Sequence, residues 1–175
     1  MADSVMRDFH SLLAPRRAML LCGLMSATLL VGAFLFEYVG GLAPCRMCIW
    51  QRWAHVAIIV CALPALVGLS PRLAQAGLAI LAAAAATSAA IAGYHAGVEW
   101  GLWAGPSGCT ANLDSNLSAG SLVDQLLATP VVRCDDVPWS LFGISMAGWN
   151  ALFSLDIMAI ALMSLLAAHK HRHTN

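Results

Sequence analysis

The sequence predicts an all-α membrane protein: a bundle of four transmembrane helices with a long outer loop bearing a short membrane-surface helix. Three observations predict it. Of 175 residues, 60% are hydrophobic and only 10% charged, whereas a soluble domain carries about 25% charged residues. The apolar residues gather into four segments, about 18–38, 49–69, 73–98 and 141–168. Each meets the need for roughly 20 apolar residues to cross a bilayer as a helix. The stretch from about 99 to 140 interrupts this pattern. Within it Leu117, Leu122, Val123, Leu126 and Leu127 are spaced for a short helix with one apolar face, suited to lie on a membrane surface. The net charge is zero, so nothing points to nucleic acid. Residues 1–175 read as a single integral membrane domain with no room for a separate soluble catalytic unit.

The first segment is too long for a cleaved signal, and three more spans follow it. Leu42-Ala43-Pro44-Cys45 faintly suggests a lipoprotein cleavage site, but Pro44 and the second cysteine at Cys48 argue against one. Pro64 and the Pro71 turn end the second segment. The run Ala82 to Ala86 makes the third narrow, which favours close helix packing. Asp156 falls near the middle of the fourth and is expected to face a cavity inside the bundle, hydrogen-bonded and without catalytic role. Cys22 and Cys61 lie within spans and read as small core residues. Trp50, Trp53, Trp100, Trp103 and Trp139 cluster near one boundary, as an interfacial aromatic belt does.

Lysine and arginine near the span ends set the expected orientation. Six lie on one side: Arg7, Arg16, Arg17, Arg72, Lys170 and Arg172. Only three, Arg46, Arg52 and Arg133, belong to the other. Both termini are therefore expected in the cytoplasm. Cys45, Cys48, Cys109 and Cys134 then all fall on the opposite side, where an oxidising compartment permits disulfides.

Cys45-Arg46-Met47-Cys48 opens the second span. A C-x-x-C pair readily forms and exchanges a disulfide, often with a lowered thiol pKa. Half a zinc site and a structural staple are the competing readings. Zinc needs two further ligands at suitable spacing, and Cys109 and Cys134 are not a second C-x-x-C; no metal is expected. On a helix Cys48, Arg52 and His55 fall at i, i+4 and i+7, along one stripe. Ionisable residues at such depth are costly and functional by default. Arg52 would stabilise a Cys48 thiolate or negative charge on a carbonyl-bearing acceptor; the alternative is an arginine snorkelling to the interface. Cys109 and Cys134 form a second candidate pair, either a relay partner or a static tie of the loop. His55 continues the stripe or is simply packed. His95, near the outer end of the third span, lines the same pocket or sits at the headgroups.

Taken together these residues resemble the DsbB family of membrane quinone reductases. The resemblance covers nearly the whole chain: four spans, Pro44-Cys45-Arg46-Met47-Cys48 followed by Gln51-Arg52, and a long second outer loop with two cysteines. The run from Cys134 through Trp139, Gly143, Ser145, Met146, Trp149 and Asn150 matches as well. The resemblance implies a bacterial inner-membrane protein-dithiol:quinone oxidoreductase, with ubiquinone or menaquinone as cofactor. Its partner would be a DsbA-like periplasmic thiol oxidase. It further implies that Cys109 is attacked by that partner, that Cys134 then attacks Cys45, and that Cys48 faces the quinone with Arg52 beside it and His95 near the ring. A vitamin K epoxide reductase-like protein is the alternative enzyme, but its C-x-x-C is expected after the loop pair rather than before it. A disulfide-stapled membrane scaffold is the non-enzymatic alternative.

Overall fold

The computed structural model describes residues 13–106 and 132–173. The expected surface helix around residues 117–127, and Cys109, lie outside the described residues. Among the described residues, four helices are long and apolar enough to cross a membrane. Helix α1 spans Pro15–Tyr38, with Pro15 in the first turn, where its missing N–H costs nothing. Helix α2 spans Arg46–Ala62 and is capped by Cys45, whose Sγ accepts from the Cys48 N–H at 3.2 Å. Pro64 opens the short α3, Pro64–Val67. Ser70 caps α4, Pro71–Glu99, by accepting from the Leu73 N–H. Helix α5 runs Met146–His173.

The fourth span starts later than its apolar sequence suggests. Ser140–Leu141 and Ile144–Ser145 pair as a two-stranded antiparallel hairpin. Phe142 and Gly143 at its tip have φ of 53° and 78°, the doubly left-handed turn that matches strand twist and suits glycine at its second position. Ser145 then caps α5, accepting from the Gly148 N–H at 3.1 Å. The expected start at residue 141 is thus corrected to 146, because backbone geometry rather than apolarity sets the boundary.

The bundle buries two apolar clusters with a polar layer between them. The larger holds Met19, Cys22, Ile58, Leu78, Leu81 and Ile157 among its fully buried members. Small residues bring the helices close. A Cβ on Gly23 would come within 2.6 Å of the Ala62 side chain, so α1 and α2 cross there only because Gly23 has none. Buried Ala74, Ala82, Ala85, Ala92 and Ala96 give α4 a thin face, and α4–α5 is the most extensive helix pairing. The smaller cluster, at the other end, comprises Cys45, Met47, Val98 and Cys134. Between the two, Ser26, His55, Ser88 and Ser154 are each no more than 3% exposed.

Asp156 does not face a cavity within the bundle. It is exposed, while Ser154, Ile157 and Ala161 on the opposite side of α5 are fully buried. The helical rotation of 100° per residue turns its carboxylate outward.

Candidate redox site

The end of the bundle that holds Cys45 gathers groups from all four long helices and one loop. Cys45 sits at the N-terminus of α2, where the helix dipole and free N–H groups favour a thiolate. Its Sγ lies 2.7 Å from the Cys48 Sγ and 3.5 Å from His95 Nε2. The nearby Cys48 sulfur and then the His95 ring, working against burial, hold the Cys45 thiol well below the ordinary thiol range, at about 4. Cys134 is buried beside Cys45 and Met47 and is disulfide-bonded. The Cys134 backbone also bonds the His95 ring, so His95 touches both cysteine-bearing segments. Cys45, Cys48, Cys22 and Cys61 are free thiols.

His95 is reached from α4 because that helix runs the full depth of the bundle. One turn further, Glu99 Oε1 stands 3.8 Å from His95 Nε2, and its second oxygen accepts from the Ser145 hydroxyl. On the other ring nitrogen, Gln51 Nε2 lies 3.0 Å from His95 Nδ1. Gln51 is held in turn by Asn150 of α5, which donates to Gln51 Oε1 at 2.6 Å.

Arg52 shares a cavity with Cys48, as the i, i+4 spacing predicts, but its guanidinium is committed to α1. It pairs with Glu37, donates to the Ala33 carbonyl at 3.3 Å and lies over the Phe34 ring at 5.1 Å. The cation is therefore fixed at its depth by a carboxylate and does not simply snorkel. His55 is buried, between Ser26 at 3.2 Å and Asn150 at 2.7 Å.

These groups line a cavity of about 490 Å³, within the size range of small-molecule sites. Cys45, Cys48, Arg52, His95 and Glu99 form a polar cluster on its wall, and chains such as Leu29, Phe36, Met146 and Phe153 supply an apolar remainder. A flat carbonyl-bearing ring fits this division of polar and apolar lining. The ligand atoms of Cys45, Cys48 and His95 also lie within 4.8 Å of one another. Two thiolates sharing a tetrahedral zinc stand roughly 3.8 Å apart, so the closed sulfur spacing suits a bond between the sulfurs better than an ion held by both.

Residues 15–164 match the family model for disulfide bond formation protein DsbB. The chain belongs to the DsbB family. Disulfide bond formation protein B of Verminephrobacter eiseniae is 31% identical over 159 residues, covering 87% of this chain and 86% of that protein. The protein of the same name from Methylococcus capsulatus is 32% identical, covering 85% and 92%. That from Stutzerimonas stutzeri is 30% identical, covering 89% and 97%. No solved structure matches the chain. This DsbB-family chain is thus a multi-pass membrane oxidoreductase of disulfide bond formation. Glu37 and Glu99 are site residues that the motif reading passes over, while Gln51 and Asn150 stand in the matching motifs without a role assigned. Each is a polar residue within or at the edge of an apolar span, the one signal that marks it.

Proposed function

We propose that this protein is a protein-dithiol:quinone oxidoreductase of the bacterial inner membrane. It reoxidises a DsbA-like periplasmic thiol oxidase and delivers the electrons to ubiquinone or menaquinone. Its termini lie in the cytoplasm, and the end bearing Cys45 and Cys134 faces the periplasm. The observation that carries this reading is the Cys45–Cys48 pair, set in an apolar cavity beside Arg52 and His95, with Cys134 packed against Cys45.

A thiolate of the reduced partner attacks Cys109 of a Cys109–Cys134 disulfide, making a mixed disulfide and freeing Cys134. Cys134 attacks Cys45 of a Cys45–Cys48 disulfide, which releases Cys48 as thiolate. The second partner thiolate then displaces Cys109, and Cys109 reclaims Cys134 and releases Cys45. The partner has lost two electrons and two protons, and Cys45 and Cys48 have gained them. A quinone in the cavity supplies an acceptor for that pair of electrons and protons. Cys48 faces the cavity, Arg52 favours negative charge developing on a carbonyl oxygen, and His95 holds a proton at Nε2 beside Cys45. The two sulfurs rejoin as the electrons leave.

Replacing the released thiol tests the order of transfer. Cys134→Ser, mixed with reduced partner, should accumulate a mixed disulfide that peptide mapping places on Cys109. An adduct on Cys45 instead contradicts the order. Disulfides that stay oxidised with reduced partner present, whatever the quinone, would make the molecule a stapled scaffold.

A further inference from the structure

A chain of polar side chains, buried except for the half-buried Asn150, links the middle of the bundle to the sulfur of Cys45, and each hydrogen bond in it has a direction. Asn150 Oδ1 has no proton to give, so His55 Nε2, 2.7 Å away, carries one and donates it. The other ring nitrogen of His55 then accepts from the Ser26 hydroxyl at 3.2 Å. Ser88 takes a second, longer share of the His55 Nε2 proton at 3.4 Å and accepts from Ser154 at 2.9 Å. Asn150 Nδ2 donates to Gln51 Oε1 at 2.6 Å. That leaves Gln51 Nε2, a donor, facing His95 Nδ1 at 3.0 Å, so Nδ1 accepts. A neutral imidazole accepting at Nδ1 carries its proton at Nε2. That nitrogen faces Cys45 Sγ at 3.5 Å, and the Cys134 backbone accepts from the same ring. Glu99 Oε1, 3.8 Å from the same nitrogen, favours the same placement. Ser26, Gln51, His55 and His95 are all buried.

We propose that Ser26, His55, Asn150 and Gln51 are positioning residues that form a one-way hydrogen-bond chain, fixing His95 as its Nε2–H tautomer and aiming that proton at the Cys45 sulfur. The use of the chain rests on the dithiol:quinone reading: it keeps Cys45 ready as the thiolate that rejoins Cys48. A half turn of the Gln51 amide would present Oε1 to His95 Nδ1. The ring would then protonate there and offer Cys45 a lone pair in place of a proton. Asn150 and His55 oppose that half turn: reversing Gln51 alone would set its NH₂ against the Asn150 NH₂, so the chain reverses only if the Asn150 amide and the His55 tautomer reverse with it. Gln51 is buried and Asn150 half-buried, and a mismatched donor pair would leave both without an acceptor.

The test uses the reduced full-length protein in lipid nanodiscs, labelled with ¹⁵N-histidine. Ring-nitrogen NMR should show His95 protonated at Nε2 and bare at Nδ1, a reading that needs no variant to fold. A proton on Nδ1, alone or in a doubly protonated ring, overturns the chain. In folded Gln51→Leu and Asn150→Leu proteins His95 should become a tautomer mixture. The pH midpoint for alkylation of Cys45 by iodoacetamide should rise by about one unit, a roughly tenfold loss of thiolate at a pH below the midpoint. Folded variants that keep either the wild-type tautomer or the wild-type midpoint also overturn it. Neither readout involves a quinone or a protein partner, so failure of the chain and failure of the oxidoreductase reading are separable.

Discussion

At the scale of single residues, the reactivity of Cys45 follows from three neighbours: the Cys48 sulfur, the His95 ring and the N-terminus of α2. Its pKa, lowered from the ordinary thiol range chiefly by the Cys48 sulfur, has a definite sign. The thiolate persists above that pKa and is lost as pH falls through it, whereas an ordinary thiol ionises only near pH 8.5. Alkylation of Cys45 in the reduced protein should therefore stay nearly flat from about pH 8 to 5, where an ordinary thiol loses about tenfold per unit. Cys48→Ala, which removes the largest cause, should restore that ordinary slope. Arg52 belongs to the same scale. Arg52→Gln removes the cation and leaves Glu37 without its partner. It should slow quinone reduction by about a hundredfold, the usual loss for one electrostatic contact of about 3 kcal/mol. Single-turnover oxidation of the partner by preformed disulfides should be almost unchanged; slowing of that step instead would make Arg52 an anchor. The C-x-x-C pair and Arg52 were legible in the sequence because one helix carries them at fixed spacing. His95 was only half legible, Gln51 and Asn150 were named in motifs without a role, and Glu37 and Glu99 were not legible. They arrive from different elements, and the rotation of each helix about its axis decides what they meet.

At the scale of elements, four spans could be read because apolar length alone selects membrane helices. Their ends were less legible. The start of α5 is fixed by positive φ at Phe142 and Gly143 and by the Ser145 cap, and Leu141, Phe142 and Ile144 remain apolar throughout the hairpin. The direction of Asp156 was misread for the same rotational reason as the site residues. An aspartate on the outer face of a membrane helix costs roughly 2.5–3.5 kcal/mol near the bilayer centre. Asp156→Leu should therefore leave quinone reduction intact and stabilise the protein in bicelles by up to about that amount, read from its unfolding equilibrium. A loss of stability would mean that the carboxylate makes a favourable contact.

Across the whole molecule, the fold separates two tasks. One apolar cluster, with Met19, Ile58, Leu78 and Ile157, holds the helices together, and the opposite end gathers Cys45, Cys48 and Cys134 with His95 and Glu99 at the cavity. A polar layer connects them without opening the bundle. Cys45 and Cys134 gather at one end of the bundle, the end that the basic asymmetry of the sequence predicts to face outward. The central claim is that Cys45 and Cys48 pass electrons from a protein dithiol to a quinone. Its most direct test is anaerobic mixing of the purified protein with a reduced DsbA-like partner and excess ubiquinone or menaquinone, following quinone absorbance. Catalytic loss of the oxidised quinone is expected, one equivalent per partner dithiol, with the Cys48→Ser protein inactive. Turnover retained in Cys48→Ser, or no quinone reduction by the wild-type protein with either quinone, would contradict it.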